Sequence, residues 1–198
     1  MKQNKLKIAI TGGIGSGKST ACEIINNAGY PVYSCDATYS KLFDGGLFTE
    51  RFVECFGEGI LDADGKPSRK KISGIVFYDD EKLKLLNEIT HPAIFEKMFE
   101  DAQNERGKFC FFEVPLLFEG GYEKLFDKVV IILRDRKECV RSVRTRDGIG
   151  EEEVIARINK QYKYEINNIA QYYVIHNNGN IDDLSAKINK ILLEITNI

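Results

Sequence analysis

A glycine-rich stretch from Gly12 to Ser19 constrains the fold of this chain more than any other feature. Its residues are Gly-Gly-Ile-Gly-Ser-Gly-Lys-Ser, which match the phosphate-binding pattern G-x-x-x-x-G-K-[ST]. An apolar run, Leu6 to Thr11, precedes it, and a helical pattern from Lys18 to Ala28 follows it. Glycines let backbone N–H groups turn inward around an anion, and the helix directs the positive end of its dipole to the same point. This order of strand, loop and helix predicts a phosphate site rather than a turn without a ligand.

Two side chains at the end of the stretch extend this prediction to a nucleotide with its metal ion. Lys18 supplies a mobile cation for the outer phosphates of a nucleotide. The hydroxyl group of Ser19 is a hard oxygen ligand of the kind that Mg²⁺ prefers. The fate of the bound nucleotide has to be inferred from the rest of the chain.

Composition and charge exclude several other classes of protein. The 198 residues are 43% hydrophobic and 29% charged, which predicts one globular domain with a substantial core. A net charge of -2 gives no basic field for a nucleic acid. The five cysteines show no C-x-x-C spacing, which is typical of reduced thiols rather than disulfides or a zinc site. No apolar stretch is long enough to span a membrane or to form a signal peptide. We therefore expect a cytoplasmic protein with no nucleic-acid or membrane partner, of open oligomeric state.

The remaining strand and helix patterns alternate, which predicts a parallel α/β fold. Helical patterns cover Arg136 to Asp147, Glu151 to Tyr162 and Ile181 to Ile195. The predicted strands are Leu6 to Thr11, Val32 to Ser34, Phe109 to Val114, Lys128 to Leu133 and Tyr172 to His176.

Residues 37 to 106 interrupt this alternation. Glycine and aspartate turns break the segment repeatedly, and we interpret it as a mainly helical insertion. It would bind the acceptor, which is the second substrate that receives a phosphate from the nucleotide. Its helical patterns are Ala37 to Phe43, Leu47 to Phe56, Lys82 to Ile89 and Pro92 to Arg106.

Two acidic residues follow predicted strands. Asp36 comes at the end of the second strand, and the carboxyl ends of parallel strands share one sheet edge, so we expect Asp36 close to the phosphate loop. There it would accept a proton from an acceptor hydroxyl or hold Mg²⁺ through water, although it is also a candidate N-cap of the next helix. Glu113 ends the third strand, where a carboxylate orients Mg²⁺ or its water. A solvated glutamate is the alternative for Glu113.

Two arginines in the second half of the chain suggest a lid. Arg144 and Arg146 lead into the turn Asp147-Gly148, which suits a mobile segment that closes on phosphates.

By spacing alone, His91, which opens a helix with Pro92, favours a capping or packing role. Arg157 and Gln161 are four residues apart on one helical pattern and favour a surface position.

Taken in order, these motifs resemble those of the dephospho-coenzyme A kinases, and the similarity spans almost the whole chain. The matching stretches are Gly12 to Thr20, Asp36, His91-Pro92-Ala93-Ile94, Val114-Pro115-Leu116-Leu117-Phe118-Glu119, Arg144-Thr145-Arg146-Asp147 and Arg157-x-x-x-Gln161. Many kinases and GTPases share the first motif, but its combination with His-Pro-x-Ile and Pro-Leu-Leu-Phe-Glu is far more specific.

The resemblance implies a P-loop kinase of the nucleoside-monophosphate-kinase type, with three α/β/α layers. The family has a five-stranded parallel sheet, a helical acceptor-binding insertion and an arginine-bearing lid. It transfers the γ-phosphate of ATP, with Mg²⁺, to the ribose 3′-hydroxyl of dephospho-coenzyme A, which is the last step of coenzyme A synthesis. On this chain the core would comprise about 1–36, 107–140 and 163–198, the acceptor subdomain about 37–106, and the lid about 141–162 of one domain.

The resemblance also assigns roles to individual residues. Gly15, Ser16, Gly17, Lys18, Ser19 and Thr20 would hold the ATP phosphates, Asp36 would be the base, and Arg146 would contact the transferring phosphate. His91, Leu116, Arg157 and Gln161 would line the acceptor side with Asp36. Three departures from the family stand out. One is His176, which precedes Asn177-Asn178-Gly179 where an aspartate is common; the resemblance implies that this loop borders the adenine, mostly through its backbone. Ser34-Cys35-Asp36 replaces the frequent Asp-Ala-Asp, and Glu113 replaces a frequent aspartate, which leaves its direct contact with Mg²⁺ open.

The sequence leaves two alternative functions. Another small-metabolite or nucleoside-monophosphate kinase on the same fold would differ in its acceptor pocket. A nucleotide switch would need a guanine-reading Asn-Lys-x-Asp after a strand, and Asn159-Lys160-Gln161-Tyr162 lacks the aspartate and lies in a helical pattern.

Overall fold

A computed structural model describes residues 5–164 and 169–196 of the chain. Five strands form one sheet in the order β2-β3-β1-β4-β5, and β1 pairs in parallel with both β3 and β4, as β4 does with β5. The predicted five-stranded parallel sheet is confirmed. The strands are β1 (Leu6–Thr11), β2 (Val32–Ser34), β3 (Phe109–Glu113), β4 (Lys128–Leu133) and β5 (Tyr173–His176).

Eight α-helices connect or flank these strands within the described ranges. Three-residue and four-residue 3₁₀ turns lie at Glu58–Ile60 and Tyr122–Leu125. The helices are α1 (Lys18–Asn27), α2 (Cys35–Asp44), α3 (Thr49–Phe56), α4 (Arg69–Val76), α5 (Asp80–Asn104), α6 (Arg136–Asp147), α7 (Glu151–Asn159) and α8 (Ile181–Thr196).

The chain divides into two compact units, which we call unit 1 (residues 1–33 and 105–198) and unit 2 (residues 34–104). The core of unit 1 lies on the central strands, where Ile8, Ile10 and Phe111 are completely buried. Strands covered on both faces are continuously apolar, as in the segment Lys-Val-Val-Ile-Ile-Leu of β4. Helices α1 and α8 contribute Ile25 and Ile188 to the same cluster. Burial on both faces therefore explains why the central strands were readable from the sequence, although β3 ends one residue earlier and β5 begins one residue later than predicted.

Unit 2 has an aromatic core of its own. Phe43, Phe48 and Phe52 are buried together with Ile72 of α4, and the rings of Phe48 and Phe52 stack with their centroids 5.4 Å apart. Arg69 links α4 to α2, because its guanidinium donates to Asp44 Oδ1 at 2.8 Å and lies 4.6 Å from the centre of the Phe43 ring. These contacts give the helical insertion an independent hydrophobic centre.

The helices of unit 2 differ from the prediction in two places. One helix of 25 residues, α5, replaces the two predicted around Pro92, which lies inside it. A proline costs a helix one hydrogen bond, and here the burial of Thr90, Ile94 and Phe95 stabilises the continuous helix against that cost. Helix α4 was not predicted, because its amphipathic pattern is short and begins in the basic run Arg-Lys-Lys.

In unit 1, α7 ends at Asn159 and not at Tyr162 as the sequence predicted. Its C-cap is Lys160, and the chain then turns, with the Gln161 N–H donating to the carbonyl oxygen of Ile158. Across the described ranges, a helix with the length and hydropathy needed to cross a membrane is not found.

Candidate active site

The glycine-rich loop joins β1 to α1 and is shaped by three glycines with positive φ. Gly17 is the N-cap of α1 and has φ 97°, while Gly15 has φ 74° and Gly12 has φ 150°. Close neighbours add a second constraint at two of them. A Cβ atom on Gly12 would lie 2.1 Å from the carbonyl oxygen of Ile132, and one on Gly15 would lie 2.7 Å from that of Cys139. The loop therefore requires glycine both for its turns and for its close packing against the backbone of β4 and α6.

Lys18 lies with its ammonium group against the loop itself. Its Nζ donates to the carbonyl oxygens of Gly12 and Gly13, at 2.7 and 2.9 Å. The cation is thus held at the loop, where it can reach phosphate oxygens that bind there. At the N-terminus of α1 the helix dipole adds positive potential. Both features favour an anion at this position.

Ser19 and Glu113 are brought together from α1 and the end of β3. The Ser19 hydroxyl lies 3.5 Å from Glu113 Oε1. A hydroxyl and a carboxylate are hard oxygen donors, and Mg²⁺ usually takes only one or two protein ligands besides waters and phosphates. The pair fits that ion. No cluster of three or more His, Cys, Asp or Glu side chains with metal-binding geometry occurs in the part of the chain that the structure describes.

Cys22 lies on the buried side of α1 and is 8% exposed. Burial raises the pKa of its thiol to about 12, and the negative charge of Glu113 adds to this effect. A thiol with such a pKa stays protonated near neutral pH. Cys22 therefore does not supply a thiolate to this region.

Arg146 and Arg157, predicted for different roles, converge on one carboxylate. Arg146 donates from Nε and NH2 to the two Asp147 oxygens at 2.6 and 2.9 Å, and Arg157 NH1 lies 4.0 Å from Asp147 Oδ2. The hydrogen bond to Arg146 holds the pKa of Asp147 below its ordinary value, and the same bond raises the pKa of Arg146. Arg157 also pairs with Glu153 at 2.7 Å. Both guanidinium groups are well exposed, so they are accessible to a negatively charged ligand.

Gln161 contacts the phosphate loop directly. Because α7 has already ended, Gln161 does not share a helical face with Arg157, and that prediction is wrong. Its Oε1 accepts a hydrogen bond from the Ile14 N–H at 2.8 Å. Next to it, the Tyr162 N–H donates to Glu119 Oε1 at 2.9 Å. Leu116 of the same 115–121 loop is 39% exposed, which leaves it available for an apolar contact.

A cavity of about 220 Å³ opens beside the phosphate loop. Its two arginines are partly engaged, since Arg136 donates to Asn159 Oδ1 at 2.9 Å and Arg134 lies 3.6 Å from Glu138. The cavity adds positively charged space next to the loop. Its walls include Gly13, Ile14, Arg134, Arg136, Gln161 and Tyr164.

Asp36 and His91 belong to unit 2. Asp36 lies in the first turn of α2 and is exposed, and the N-cap of that helix is Ser34. The alternative that Asp36 is the cap is therefore wrong. His91 does not open a helix, because it lies within α5. Burial lowers the pKa of its imidazole, and its ring meets that of Phe95 at 6.4 Å in an edge-to-face arrangement.

Asn177 contacts the phosphate loop from the end of β5, and this contact was not predicted. Its Nδ2 donates to the Ser16 carbonyl oxygen at 2.8 Å, and only 8% of the residue is exposed. Asn177 and Ser16 are far apart in the sequence and carry no shared motif. The signals were a polar residue directly after a strand and the family resemblance of the loop that contains it.

Together, the parallel sheet, the phosphate loop and its lysine define the class of P-loop nucleotide-binding proteins. Within that class, a family model described as dephospho-CoA kinase matches residues 6–183, so the chain belongs to the dephospho-CoA kinase family.

Individual relatives agree with this assignment. A dephospho-CoA kinase of Corynebacterium glutamicum is 34% identical over 96% of this chain and 97% of its own length. One from Leptospira interrogans is 40% identical over 93% of this chain and 90% of its own. A crystal structure from Thermus thermophilus superposes with a TM-score of 0.85 at 32% identity, covering 98% of this chain and 99% of that one. The resemblance inferred from the motifs is confirmed.

Proposed function

We propose that this protein transfers the γ-phosphate of ATP to the ribose 3′-hydroxyl of dephospho-coenzyme A, giving coenzyme A and ADP. This is the last step of coenzyme A synthesis. The proposal rests on the phosphate loop, whose carbonyl oxygens accept hydrogen bonds from Lys18 Nζ. The chain that carries this loop matches the dephospho-CoA kinase family over nearly its whole length. The free thiols of its five cysteines support a cytoplasmic location.

The donor half of the reaction is assigned to the loop and the residues after it. Gly15 to Thr20 would bind the ATP phosphates through backbone N–H groups, and Lys18 would neutralise the outer phosphates. Moving Lys18 Nζ from the carbonyl oxygens of Gly12 and Gly13 to phosphate oxygens would need only a rotation of its side chain. Because phosphoryl transfer depends mainly on positioning and charge stabilisation, this part of the site would contribute to the rate by holding the phosphates and neutralising their charge.

Mg²⁺ is assigned to Ser19, with Glu113 acting through a bound water. Their 3.5 Å contact and their oxygen chemistry support this assignment. When bound, the ion neutralises charge on the phosphate oxygens. Glu113 would orient Ser19 and hold water at this point.

Asp36, Leu116, His91 and Arg157 are proposed for the acceptor. Asp36 would accept the proton of the 3′-hydroxyl, or orient that hydroxyl, and its support is its place just after the end of β2. A largely neutral His91, lowered in pKa by burial, suits a hydrogen bond with a neutral group of the acceptor. Arg157 offers a cation for an acceptor phosphate. For Gln161, the bond to Ile14 supports a contact with the donor loop beside the acceptor role.

Arg146 is proposed to stabilise the charge on the transferring phosphoryl group. Its guanidinium is exposed, and its present partner is the neighbouring Asp147. Phosphate oxygens would compete with that carboxylate for the same N–H groups. The turn at Gly148, which has φ 68°, ends the helix just beyond this pair.

A comparison of acceptors tests the function. We expect turnover with dephospho-coenzyme A to exceed that with AMP, CMP or shikimate at equal concentrations of ATP and Mg²⁺. Faster phosphorylation of one of the other three would contradict the proposal and favour another small-metabolite kinase on this fold. Formation of ADP in the absence of any acceptor serves as the baseline.

Replacement of Asp36 tests its role in the transfer step. We expect Asp36→Asn to lower kcat by at least about 10²-fold, because general-base assistance is worth roughly 10²–10⁴. The affinity for ATP, measured by equilibrium titration, should stay within about twofold of wild type. Asp64→Asn, an exposed substitution in the same unit, is the matched control. A near-normal kcat in Asp36→Asn would remove Asp36 from the reaction.

A further inference from the structure

Asn177 links the phosphate loop to the sheet through one backbone and one side-chain hydrogen bond. Its backbone N–H donates to the Leu133 carbonyl oxygen at 2.7 Å, which continues the pairing of β4 and β5 by one residue. Its side-chain Nδ2 donates to the carbonyl oxygen of Ser16 at 2.8 Å. Since a carbonyl oxygen only accepts, the orientation of the Asn177 amide follows from its partner. A single buried residue thus ties the loop to the strand ends.

The contact fixes the direction of one particular peptide plane. In a trans peptide the C=O of Ser16 and the N–H of Gly17 point in opposite directions. When Asn177 holds the Ser16 carbonyl oxygen, the Gly17 N–H is therefore directed away from Asn177. Gly17 is the N-cap of α1, where unpaired backbone N–H groups form the anion site. The side chain of Asn177 consequently controls where a phosphate-binding donor points.

The fit around Gly17 is tight enough to make this control specific. A Cβ atom on Gly17 would lie 2.3 Å from Asn177 Nδ2. Ser16 and Asn177 are both nearly completely buried, at 1% and 8% exposure. Water therefore has little access to replace the amide as a donor to Ser16. Removal of the amide would leave the carbonyl oxygen unsatisfied and the peptide free to rotate.

The next residue, Asn178, provides an internal comparison. It is exposed, and its amide contacts Asp135 twice, accepting from the Asp135 N–H at 2.9 Å and donating to Asp135 Oδ1 at 2.8 Å. These bonds connect the end of β5 to the loop before α6. Two adjacent asparagines therefore hold two different loops, and only Asn177 holds the phosphate loop.

We propose that Asn177 is a positioning residue for the nucleotide phosphates, acting through the Ser16–Gly17 peptide. It does not touch the ligand. It presets the Gly17 N–H so that binding does not have to reorient that peptide. The inference rests on ATP binding at the loop, but it does not depend on which acceptor is phosphorylated.

The first test compares Asn177→Ala with Asn178→Ala by equilibrium titration with ATP and ADP in the absence of acceptor. We expect Asn177→Ala to raise both dissociation constants about tenfold, the equivalent of one buried hydrogen bond. Asn178→Ala should change them by at most about twofold. In turnover assays, Asn177→Ala should raise KM for ATP and leave KM for the acceptor within about twofold. Equal dissociation constants in wild type and Asn177→Ala, or equal losses in both variants, would overturn the proposal.

The second test uses Asn177→Asp, which keeps the shape of the side chain. An ionised carboxylate would oppose the Ser16 carbonyl oxygen, whereas a protonated carboxyl would donate to it. Burial beside a carbonyl raises the pKa of such a carboxyl group. The ratio of the ATP dissociation constant of Asn177→Asp to that of wild type should therefore decrease as pH falls from about 8 to about 6. The same ratio for Asn177→Ala should not vary with pH. Identical pH dependence in the two variants would contradict the role of the donated hydrogen bond, even if both are less stable than wild type.

Discussion

Gly17 meets two separate demands in one residue. It has a φ of 97°, a backbone conformation that residues with a Cβ atom rarely adopt. A Cβ atom at this position would also collide with the side-chain amide of Asn177. Gly29, just after α1, has a similar φ of 90° but open space around it. The two glycines therefore separate the cost of the backbone conformation from the cost of the collision.

This difference predicts unequal effects of the same substitution. We expect Gly29→Ala to lower the free energy of unfolding by about 1–2 kcal/mol, the cost of positive φ alone. Gly17→Ala should cost about 1–3 kcal/mol more, because overpacking is added, and it should also weaken ATP binding. Chemical denaturation followed by circular dichroism, together with ATP titration, measures both effects. Equal losses of stability with unchanged ATP affinity would show that the contact with Asn177 has no energetic weight.

Other single residues show how far a local motif extends. Lys18 and Ser19 were predicted from the loop pattern, and the structure places both at the loop with suitable partners. Their own roles in catalysis stay predictions. Asn177 was not foreseen, because its function depends on a contact with Ser16 that only the folded sheet creates.

Among the secondary-structure elements, α4 contacts α2 through the side chain of Arg69. Its guanidinium donates to Ser40 Oγ at 3.0 Å and to Asp44 Oδ1 at 2.8 Å, and it covers the ring of Phe43. A planar cation that stacks and forms several hydrogen bonds is difficult to replace. The residue thus stabilises a helix that the sequence pattern did not reveal.

We expect Arg69→Ala to lower the free energy of unfolding by about 1–2 kcal/mol, since it removes a stacked cation, a hydrogen-bonded ion pair and packed methylene groups together. Arg51→Ala is the matched control, because Arg51 forms an exposed pair with Glu54 at 2.9 Å. Such an exposed pair contributes little, so the control should leave the free energy of unfolding close to that of wild type. Hydrogen exchange of the α2 and α4 amides locates the effect. If Arg69→Ala were no more destabilising than Arg51→Ala, the link between the helices would be unimportant.

Helix α5 illustrates why helix limits are harder to predict than helix existence. Pro92 suggested a boundary, since proline removes a backbone donor. Buried residues on either side of it, Thr90 and Ile94 among them, hold the helix together. Tertiary packing decided the outcome, and a local rule does not include packing. The early end of α7 at Asn159 has the same kind of cause, because Gln161 turns away to reach Ile14.

For the whole molecule, the parallel sheet and the donor site were the most predictable features. Buried parallel strands and the phosphate loop are encoded in short contiguous stretches, such as β1 and the segment that follows it. The acceptor residues were not accessible in this way. His91, Arg157 and Gln161 each looked structural by spacing, and only the family resemblance suggested otherwise. Their proposed acceptor roles depend on tertiary arrangement, which short motifs do not specify.

The division into two units predicts how ATP affects stability across the molecule. All the proposed ATP contacts, Gly15 to Thr20 and Arg146, belong to unit 1. A ligand at about 100 times its dissociation constant stabilises the state that binds it by about 2.7 kcal/mol. With ATP and Mg²⁺ but no acceptor, we therefore expect the slowest amides of β1 and β4 to gain about 100-fold protection in hydrogen exchange. Amides of the aromatic core of unit 2 around Phe52 should gain less.

Hydrogen exchange read by mass spectrometry on the intact chain, with and without ATP, measures both units in one experiment. Lys18→Ala is the control, because the loss of its cation should reduce the protection of β1 and β4 at the same ATP concentration. Equal protection of unit 2 would mean that the units unfold as one cooperative body or that ATP contacts residues of unit 2. Protection confined to unit 2 would contradict the assignment of ATP to the phosphate loop. The expected pattern, strong in β1 and β4 and weaker around Phe52, follows only if nucleotide binding and the helical core of unit 2 are energetically separable.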